Sequence, residues 1–273
     1  MTVTRPPVLG NRRPISHTVL SPLRAGRSRI AGMRYPFLIV DLNGTLVDTF
    51  DDLTDALNDQ LAAMDRPGLT VEQVRQWPGE NLRAILRSAL ALTGEVPTDL
   101  EISERLPAFK AAYEAHLGVR GFLYANVAEV LQELDEAGVR MAVLTNKPLA
   151  PSFKLLQQMG IAGRFQFLLA GDAEVARKPD PEGLLTLVQQ LSGEQDARDR
   201  ALMVGSSRID LHTARNAGVR CALIDHDHSR SVHAMGADYV LDGIERLARL
   251  ALGTRPSGIW PVPEVDGKSQ AKS

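Results

Sequence analysis

The feature that most constrains the fold of this chain is a short apolar run that ends in an acidic residue. Phe37-Leu-Ile-Val leads directly to Asp41, and Gly44 follows three residues later. A run of this kind is typical of a central strand in a parallel sheet, and glycine allows the chain to turn sharply after it. Asp41 is therefore predicted at the carboxyl end of a strand, where open α/β sheets bind their ligands.

Strand and helix patterns alternate along the second half of the chain. The predicted strands cover residues 140–145, 165–170, 201–205, 219–224 and 238–241, and the predicted helices cover residues 127–137, 151–159, 181–191 and 210–217. Such alternation with short connections indicates a doubly wound, Rossmann-like α/β fold with a mostly parallel sheet and right-handed crossovers. The α/β core is assigned to residues 35–49 together with 124–252.

The segment between these two parts of the core has helical patterns and almost no strand signal. Further helical patterns cover residues 81–92 and 101–117, and apolar residues recur with helical spacing at Phe50, Leu53, Leu57 and Leu61. We therefore predict an α-helical cap subdomain at residues 50–123, inserted into the α/β core.

The two ends of the chain differ in composition from the rest. Residues 1–34 hold seven arginines and no acidic residue. This composition predicts a disordered basic leader, which is either a targeting segment or upstream sequence read from a start codon ahead of Met33. Residues 253–273 are rich in Gly, Pro and Ser and predict a disordered tail.

Charge and hydropathy exclude several classes of protein. Outside the leader the chain has 24 basic and 33 acidic residues. Such an acidic body offers no electrostatic footprint for nucleic acid, and no apolar run approaches the roughly 20 residues that span a membrane. The single cysteine, Cys221, lies in an apolar run and is predicted to be a core residue in a reducing compartment. We expect a cytoplasmic protein that binds neither nucleic acid nor membranes.

Three further segments are predicted to end at the same edge of the sheet as Asp41. They contribute Thr145 and Asn146, then Lys178, then Ser206 and Asp210. A hydroxyl group and main-chain amides suit the binding of phosphoryl oxygens. A lysine ammonium is a compact positive charge that neutralises phosphate. Together these residue types indicate a phosphate site.

The four segments resemble, in chain order, the motifs of the haloacid dehalogenase superfamily. Those motifs are Asp-x-Asp-Gly-Thr-Leu-x-Asp, Thr-Asn-Lys, Lys-Pro-x-Pro and Gly-Asp-Ser-x-x-Asp. The overall pattern is most similar to phosphoglycolate-phosphatase-like members with a helical cap, over roughly residues 35–250. The resemblance implies that Asp41 attacks phosphorus and forms an aspartyl-phosphate. It also implies that Thr145, Asn146 and Lys178 bind the phosphoryl group.

The same resemblance implies a magnesium site with altered ligands. The expected ligands are Asp41, the main-chain carbonyl of Asn43 and Asp210, with Ser206 at the position of a further acidic ligand. Mg²⁺ prefers oxygen ligands that include one or two carboxylates, so it is expected to bind here more weakly than in the family pattern.

A second departure from the family pattern affects proton transfer. Asn43 occupies the place of the acid that protonates the leaving group and then activates water. General acid–base help is typically worth about 10²–10⁴-fold in rate. We therefore predict a weak, Mg²⁺-dependent phosphatase, monomeric or homodimeric, whose partner is a small phosphorylated metabolite such as 2-phosphoglycolate.

Two alternatives remain open at this stage. The first is a catalytically silent relative that binds a phosphorylated ligand or a protein partner, as Asn43 and Ser206 suggest. The second, which we favour least, is a metal-free haloacid dehalogenase, since that branch also lacks the second acid. Three cap arginines, Arg75, Arg83 and Arg87, could contact substrate, although a solvated helix face is the commoner role. Residues 225–228, Asp-His-Asp-His, are interpreted as a polar turn rather than a metal loop.

Overall fold

The computed structural model describes residues 18–20, 30–77, 81–226, 232–253 and 260–261. The strands are β1 (Thr18–Val19), β2 (Phe37–Val40), β3 (Val47–Asp48), β4 (Phe122–Leu123), β5 (Arg140–Leu144), β6 (Phe167–Leu169), β7 (Ala201–Gly205), β8 (Arg220–Ile224), β9 (Tyr239–Leu241) and β10 (Trp260–Pro261). The α-helices are α1 (Phe50–Ala62), α2 (Val71–Val74), α3 (Leu82–Thr93), α4 (Asp99–His116), α5 (Val127–Ala137), α6 (Leu149–Gln158), α7 (Glu182–Ser192), α8 (Arg208–Ala217) and α9 (Glu245–Leu252).

Eight of these strands form one sheet in the order β1-β6-β5-β2-β7-β8-β9-β10. The six strands from β6 to β9 in that order run parallel, and β1 and β10 add antiparallel edges. β2 lies between β5 and β7, with Val40 opposite Val143 and Val204. The predicted mostly parallel, doubly wound α/β fold is confirmed.

Helices cover both faces of the sheet, which explains why β2 has no polar residue. Leu38 and Val40 face a core that includes apolar residues of α5, α6 and α9. Phe37 and Ile39 face a second core that includes residues of α7 and α8. All four side chains are fully buried. Successive strand residues point to opposite faces, so a strand covered on both sides must be apolar throughout.

Four helices, α1 to α4, lie between β3 and β4 and form the inserted cap. β3 and β4 pair antiparallel, with Val47 opposite Leu123, and close the base of the insertion. Thr98 begins α4 with a capping box in which Glu101 is the partner. α4 packs along α1, where Phe109 and Leu57 are fully buried. The predicted domain bounds at 50 and 123 remain a prediction.

The termini differ from the prediction at several residues. Thr18–Val19 pair with β6, and the main-chain N–H groups of Arg34 and Tyr35 both donate to Ala251 O, at 3.0 and 2.9 Å. Thr18, Val19 and Arg34 of the predicted leader therefore pair with the core through their main chain. Trp260–Pro261 of the predicted tail pair with β9. The rest of the two predicted disordered segments, namely 1–17, 21–29, 254–259 and 262–273, lies outside the described residues.

Within the described ranges, no helix is both long enough and apolar enough to cross a membrane. Cys221 is buried on β8, as the apolar run predicted.

Candidate active site

The sheet order brings the four predicted segments together. Asp41 directly follows β2, Thr145 directly follows β5, and Asp210 lies in the first turn of α8 beyond β7. Because β5, β2 and β7 are adjacent and parallel, their carboxyl ends meet at one edge. Lys178 reaches this edge from the loop between β6 and α7.

A buried lysine joins two of the predicted acidic residues. Lys178 Nζ donates to Asp41 Oδ1 and to Asp210 Oδ1, at 2.6 Å each. The side chains are 4%, 12% and 0% exposed for Lys178, Asp41 and Asp210. Two largely buried carboxylates therefore share one buried ammonium, and such charge-assisted bonds are strong.

This sharing sets the ionisation of the group. Burial raises the pKa of Asp41, Lys178 opposes this effect, the charge of Asp210 adds to it, and the resulting pKa is about 6. Burial alone would lower the pKa of Lys178, but the charges and hydrogen bonds of Asp210 and Asp41 outweigh it and raise that pKa. Lys178 therefore stays charged, and Asp41 takes up a proton at a higher pH than an ordinary aspartate.

Asp210 is held by its own helix as well as by Lys178. Its Oδ2 accepts hydrogen bonds from Ser207 Oγ at 2.7 Å, Ser207 N at 3.1 Å and Ser206 N at 3.2 Å. Ser207 and Asp210 form the capping box of α8. A Cβ on Gly205 would lie 2.4 Å from the Asp210 carboxyl group, so only glycine fits there. These contacts turn Asp210 towards Lys178.

Asn146 grips the main chain of Lys178. Its Nδ2 donates to Lys178 O at 3.0 Å, and its Oδ1 accepts from Lys178 N at 2.9 Å. The side chain predicted to bind phosphate is thus engaged in positioning Lys178, and its main-chain N–H is the group that remains suited to a phosphoryl oxygen. Thr145 Oγ1 accepts from Lys147 N at 3.2 Å, which leaves its own hydroxyl hydrogen to donate to phosphate.

Asn43 has only half of its amide satisfied. Its Nδ2 donates to Thr49 Oγ1 at 2.5 Å. Its Oδ1 is buried and has no hydrogen-bond partner among the described residues. Ser206 is close by, since its Oγ accepts from Thr45 Oγ1 at 3.1 Å and lies 3.1 Å from where a Cβ on Gly44 would be. The two substituted positions therefore lie on one side of the site.

The residues present fit Mg²⁺ only as a weak site. No cluster of three or more His, Cys, Asp or Glu side chains suited to a metal occurs in the part of the chain that the structure describes. The candidate donors are the carboxylates of Asp41 and Asp210, each of which also accepts a hydrogen bond from Lys178, with the main-chain carbonyl of Asn43 and the Ser206 hydroxyl. Mg²⁺ usually binds through one or two carboxylates and lets water complete its shell.

The cap arginines are paired with carboxylates rather than directed at the site. Arg83 and Arg87 are 39% and 41% exposed and both pair with the exposed Asp99, Arg83 at 3.3 Å. Arg75 donates to the buried Asp48 at 2.6 Å, beside the β3 base of the cap. These contacts agree with the surface role expected for Arg83 and Arg87 and give Arg75 a structural one.

His226 approaches the site from the predicted polar turn. Its Nε2 lies 2.9 Å from Thr45 O, and its ring stacks on Tyr124 with 3.6 Å between ring centroids. Asp227 and His228 lie outside the described residues.

One contact was missed by the sequence analysis, which assigned no role to Lys147 and did not single out Tyr113. Lys147 Nζ donates to Tyr113 OH at 2.7 Å and lies 4.4 Å from its ring centroid. The Tyr113 hydroxyl is in turn 3.3 Å from Thr49 Oγ1. The helical spacing of Ile102, Phe109 and Tyr113 could have indicated burial, but no sequence signal ties α4 to Lys147.

Known proteins share both the sequence and the fold. Residues 38–224 match the family of haloacid dehalogenase-like hydrolases. The chain is 37% identical over 222 residues to phosphoglycolate phosphatase 1 of Pseudomonas aeruginosa, covering 78% of this chain and 79% of that protein. It is 34% identical over 219 residues to a phosphoglycolate phosphatase of Pseudomonas fluorescens, with 78% and 79% covered.

A solved structure gives the same relationship. The crystal structure of a proposed phosphoglycolate phosphatase from Lactobacillus delbrueckii subsp. bulgaricus matches with a TM-score of 0.73 and 27% identity, over 81% of this chain and 100% of that one. The family match spans well over half of the sequence, and it includes Asp41, Thr145, Lys178 and Asp210. The chain therefore belongs to the haloacid dehalogenase-like hydrolases and is similar to their phosphoglycolate phosphatases.

Proposed function

We propose that this protein hydrolyses small phosphate monoesters, with 2-phosphoglycolate as the expected substrate, through an aspartyl-phosphate on Asp41. The observation that carries the proposal is the buried contact of 2.6 Å between Asp41 and Lys178 at the carboxyl edge of the sheet. It places a nucleophilic carboxylate and a phosphate-neutralising ammonium side by side, next to the donors of Thr145 and Asn146.

The reaction proceeds in two displacements. The Asp41 carboxylate attacks phosphorus, a new O–P bond forms, and the ester O–P bond breaks to release an alkoxide that takes up a proton. Water then attacks phosphorus, gives up a proton, and displaces the Asp41 carboxylate as inorganic phosphate forms. Lys178, the Thr145 hydroxyl and the Asn146 N–H hold the phosphoryl oxygens throughout. Mg²⁺ held by Asp41, Asp210, the main-chain carbonyl of Asn43 and Ser206 would add positive charge at these oxygens.

Asn43 makes both displacements slow. The alkoxide needs a proton in the first step and the water must lose one in the second, yet an amide transfers no proton near neutral pH. The Asn43 amide is also held by Thr49 through its Nδ2. We therefore propose that activity is weak, and that it is greatest with leaving groups that depart without protonation.

A silent phosphate-binding protein is the second candidate, and the Asn43 amide is the observation that favours it. Such a protein would keep Lys178, Thr145 and the cap and bind a phosphorylated ligand without turning it over.

The cytoplasm is the proposed location, since Cys221 is buried and free.

One experiment separates the two candidates. Release of phosphate from a panel of esters, including 2-phosphoglycolate and p-nitrophenyl phosphate, is measured with and without Mg²⁺. The proteins compared are the natural chain, Asn43→Asp, Ser206→Asp and the double variant, with Asp41→Asn as the inactive control. We expect weak natural activity, a gain of about 10²–10⁴-fold with Asn43→Asp and the largest gain in the double variant.

Each outcome is decisive. Natural turnover as fast as that of the double variant would refute the role given to Asn43. No phosphate release even from the double variant would favour the silent candidate. Release of halide from 2-chloropropionate without Mg²⁺ would identify a dehalogenase instead.

A further inference from the structure

We propose that Lys147 and Tyr113 form a second anion subsite that recognises the carboxylate of the substrate, so that the preferred substrates are phosphate esters of short hydroxy acids. This inference rests on the proposed function and deepens it. It assigns the phosphoryl group to Lys178 and the carboxylate to Lys147.

Lys147 has neutral contacts only, within the part of the chain that the structure describes. Among the residues that the structure describes, no carboxylate oxygen lies within 4.0 Å of its ammonium, whose contacts are the hydroxyl and the ring of Tyr113. Lys178 and Arg75, by contrast, are each paired with carboxylates. A half-buried cation with neutral partners is attractive to an anion that can reach it.

Lys147 also lies beside the predicted phosphate site. Lys147 N donates to Thr145 Oγ1, so the residue belongs to the predicted phosphate loop. From Lys147 Nζ, hydrogen-bonded contacts run through Tyr113 and Thr49 to Asn43, at 2.7, 3.3 and 2.5 Å. Asn43 is two residues from Asp41. The ammonium therefore lies where the cap meets the core, on the side of the site that Asn43 occupies.

The hydrogen-bond donors of Lys147 and Tyr113 are complementary to a carboxylate. Tyr113 OH accepts from Lys147, and Thr49 Oγ1, which accepts from Asn43, can donate to Tyr113 OH, which leaves the Tyr113 hydrogen for a carboxylate oxygen. An ammonium and a phenol hydroxyl together match one carboxylate with two charge-assisted hydrogen bonds. Tyr113 is 8% exposed and is carried by α4 of the cap, so the subsite takes one residue from each part of the molecule.

The test compares two esters that differ only in the group opposite the phosphate. The first is 2-phosphoglycolate and the second is 2-hydroxyethyl phosphate, in which a neutral alcohol replaces the carboxylate. Lys147→Met and Tyr113→Phe are made in the Asn43→Asp background to keep turnover measurable. Lys154→Met is the matched control, because Lys154 also contacts α4, through Glu114 O, but lies on the exposed side of α6.

We expect Lys147→Met to raise KM for 2-phosphoglycolate by about 10- to 100-fold, the value of one lost charge-assisted hydrogen bond, with little change for 2-hydroxyethyl phosphate. Tyr113→Phe should act in the same direction with a smaller factor, and Lys154→Met should change neither ester. Equal losses on both esters, or no loss on 2-phosphoglycolate, would overturn the subsite.

Failure of the proposed function is recognised separately. If no ester is hydrolysed, calorimetric titration of the natural chain with 2-phosphoglycolate still decides the inference. Binding that weakens at least tenfold in Lys147→Met but not in Lys154→Met supports the subsite. The subsite is overturned if 2-phosphoglycolate does not bind, or if its affinity is the same in Lys147→Met as in the natural chain.

Discussion

The two sides of the candidate site differ in how well their polar groups are satisfied. On the lysine side, Lys178 bonds Asp41 and Asp210, and Asn146 bonds both main-chain groups of Lys178. On the amide side, Asn43 Oδ1 is buried without a partner among the described residues. In the proposed function, the lysine side binds phosphate and presents the nucleophile, whereas proton transfer is expected on the amide side. These two tasks would then be carried by separate groups that can be lost separately.

The lysine side of the site is also expected to contribute to the stability of the folded chain. Removing one member of a buried ion pair leaves an uncompensated charge, which costs about 3–5 kcal/mol. The Asn43 amide is neutral, so truncating it leaves no uncompensated charge. We therefore expect loss of the Asn43 side chain to cost less stability than loss of Lys178.

Lys178→Met tests the lysine side of the site and has the largest expected effect on stability. It leaves Asp41 and Asp210 buried together without a cation, so we expect the free energy of unfolding to fall by about 3–5 kcal/mol at pH 7. The loss should shrink towards pH 5, where one carboxyl can take up a proton. Urea unfolding of metal-free protein measures it. Lys154→Met is the control, and a Lys178→Met protein as stable as that control would contradict the buried-charge account.

Asp41→Asn tests the lysine side of the site through the pH dependence of stability. The folded-state pKa of Asp41 is raised from 3.8 to about 6, so between these values the folded chain holds a proton that the unfolded chain has released. The contribution of Asp41 to stability therefore falls as the pH rises through this window. The unfolding free energy of the asparagine variant, relative to that of the natural chain, should therefore increase by about 2–3 kcal/mol as the pH rises from 4 to 7. Both proteins are measured in EDTA. A stability difference that is constant with pH would show that the carboxyl group is not perturbed.

Asn146→Ala has the smallest expected effect. It removes two hydrogen bonds to the main chain of Lys178, which predicts a loss of roughly 1–3 kcal/mol in stability and about tenfold in kcat. Because Asn146 is a positioning residue that acts through Lys178, the loss of kcat should vanish when Lys178→Met is already present. Additive losses in the double variant would mean that Asn146 contacts phosphate directly through its side chain.

Strong local patterns made much of the fold predictable. α5 (Val127–Ala137) and β7 (Ala201–Gly205) have the predicted bounds, because helical periodicity stops at Gly138, where φ is +94°, and because β7 is apolar throughout. The β3–β4 pair was missed, since two-residue strands carry no periodicity. The edge strand β1 was missed for the same reason, within a segment whose composition suggested disorder.

The site was predictable in its residue types but not in its contacts. Motif order indicated that Asp41, Lys178 and Asp210 would meet at one edge of the sheet. The bonds from the Asn146 side chain to the Lys178 main chain depend on how two loops 32 residues apart approach each other. The Lys147–Tyr113 contact depends on how the cap sits on the core. Contacts of this kind between distant segments cannot be predicted from local sequence patterns.

The most direct test of the central claim is a rapid-quench time course with p-nitrophenyl phosphate. Its leaving group needs no proton, so formation of the aspartyl-phosphate bypasses Asn43, whereas hydrolysis of that intermediate still lacks a base. We predict a burst of p-nitrophenolate equal in concentration to the active sites, followed by a slower steady rate, and loss of the burst in Asn43→Asp as the second step becomes faster. A linear time course in the natural chain at the rate of Asn43→Asp would contradict the account.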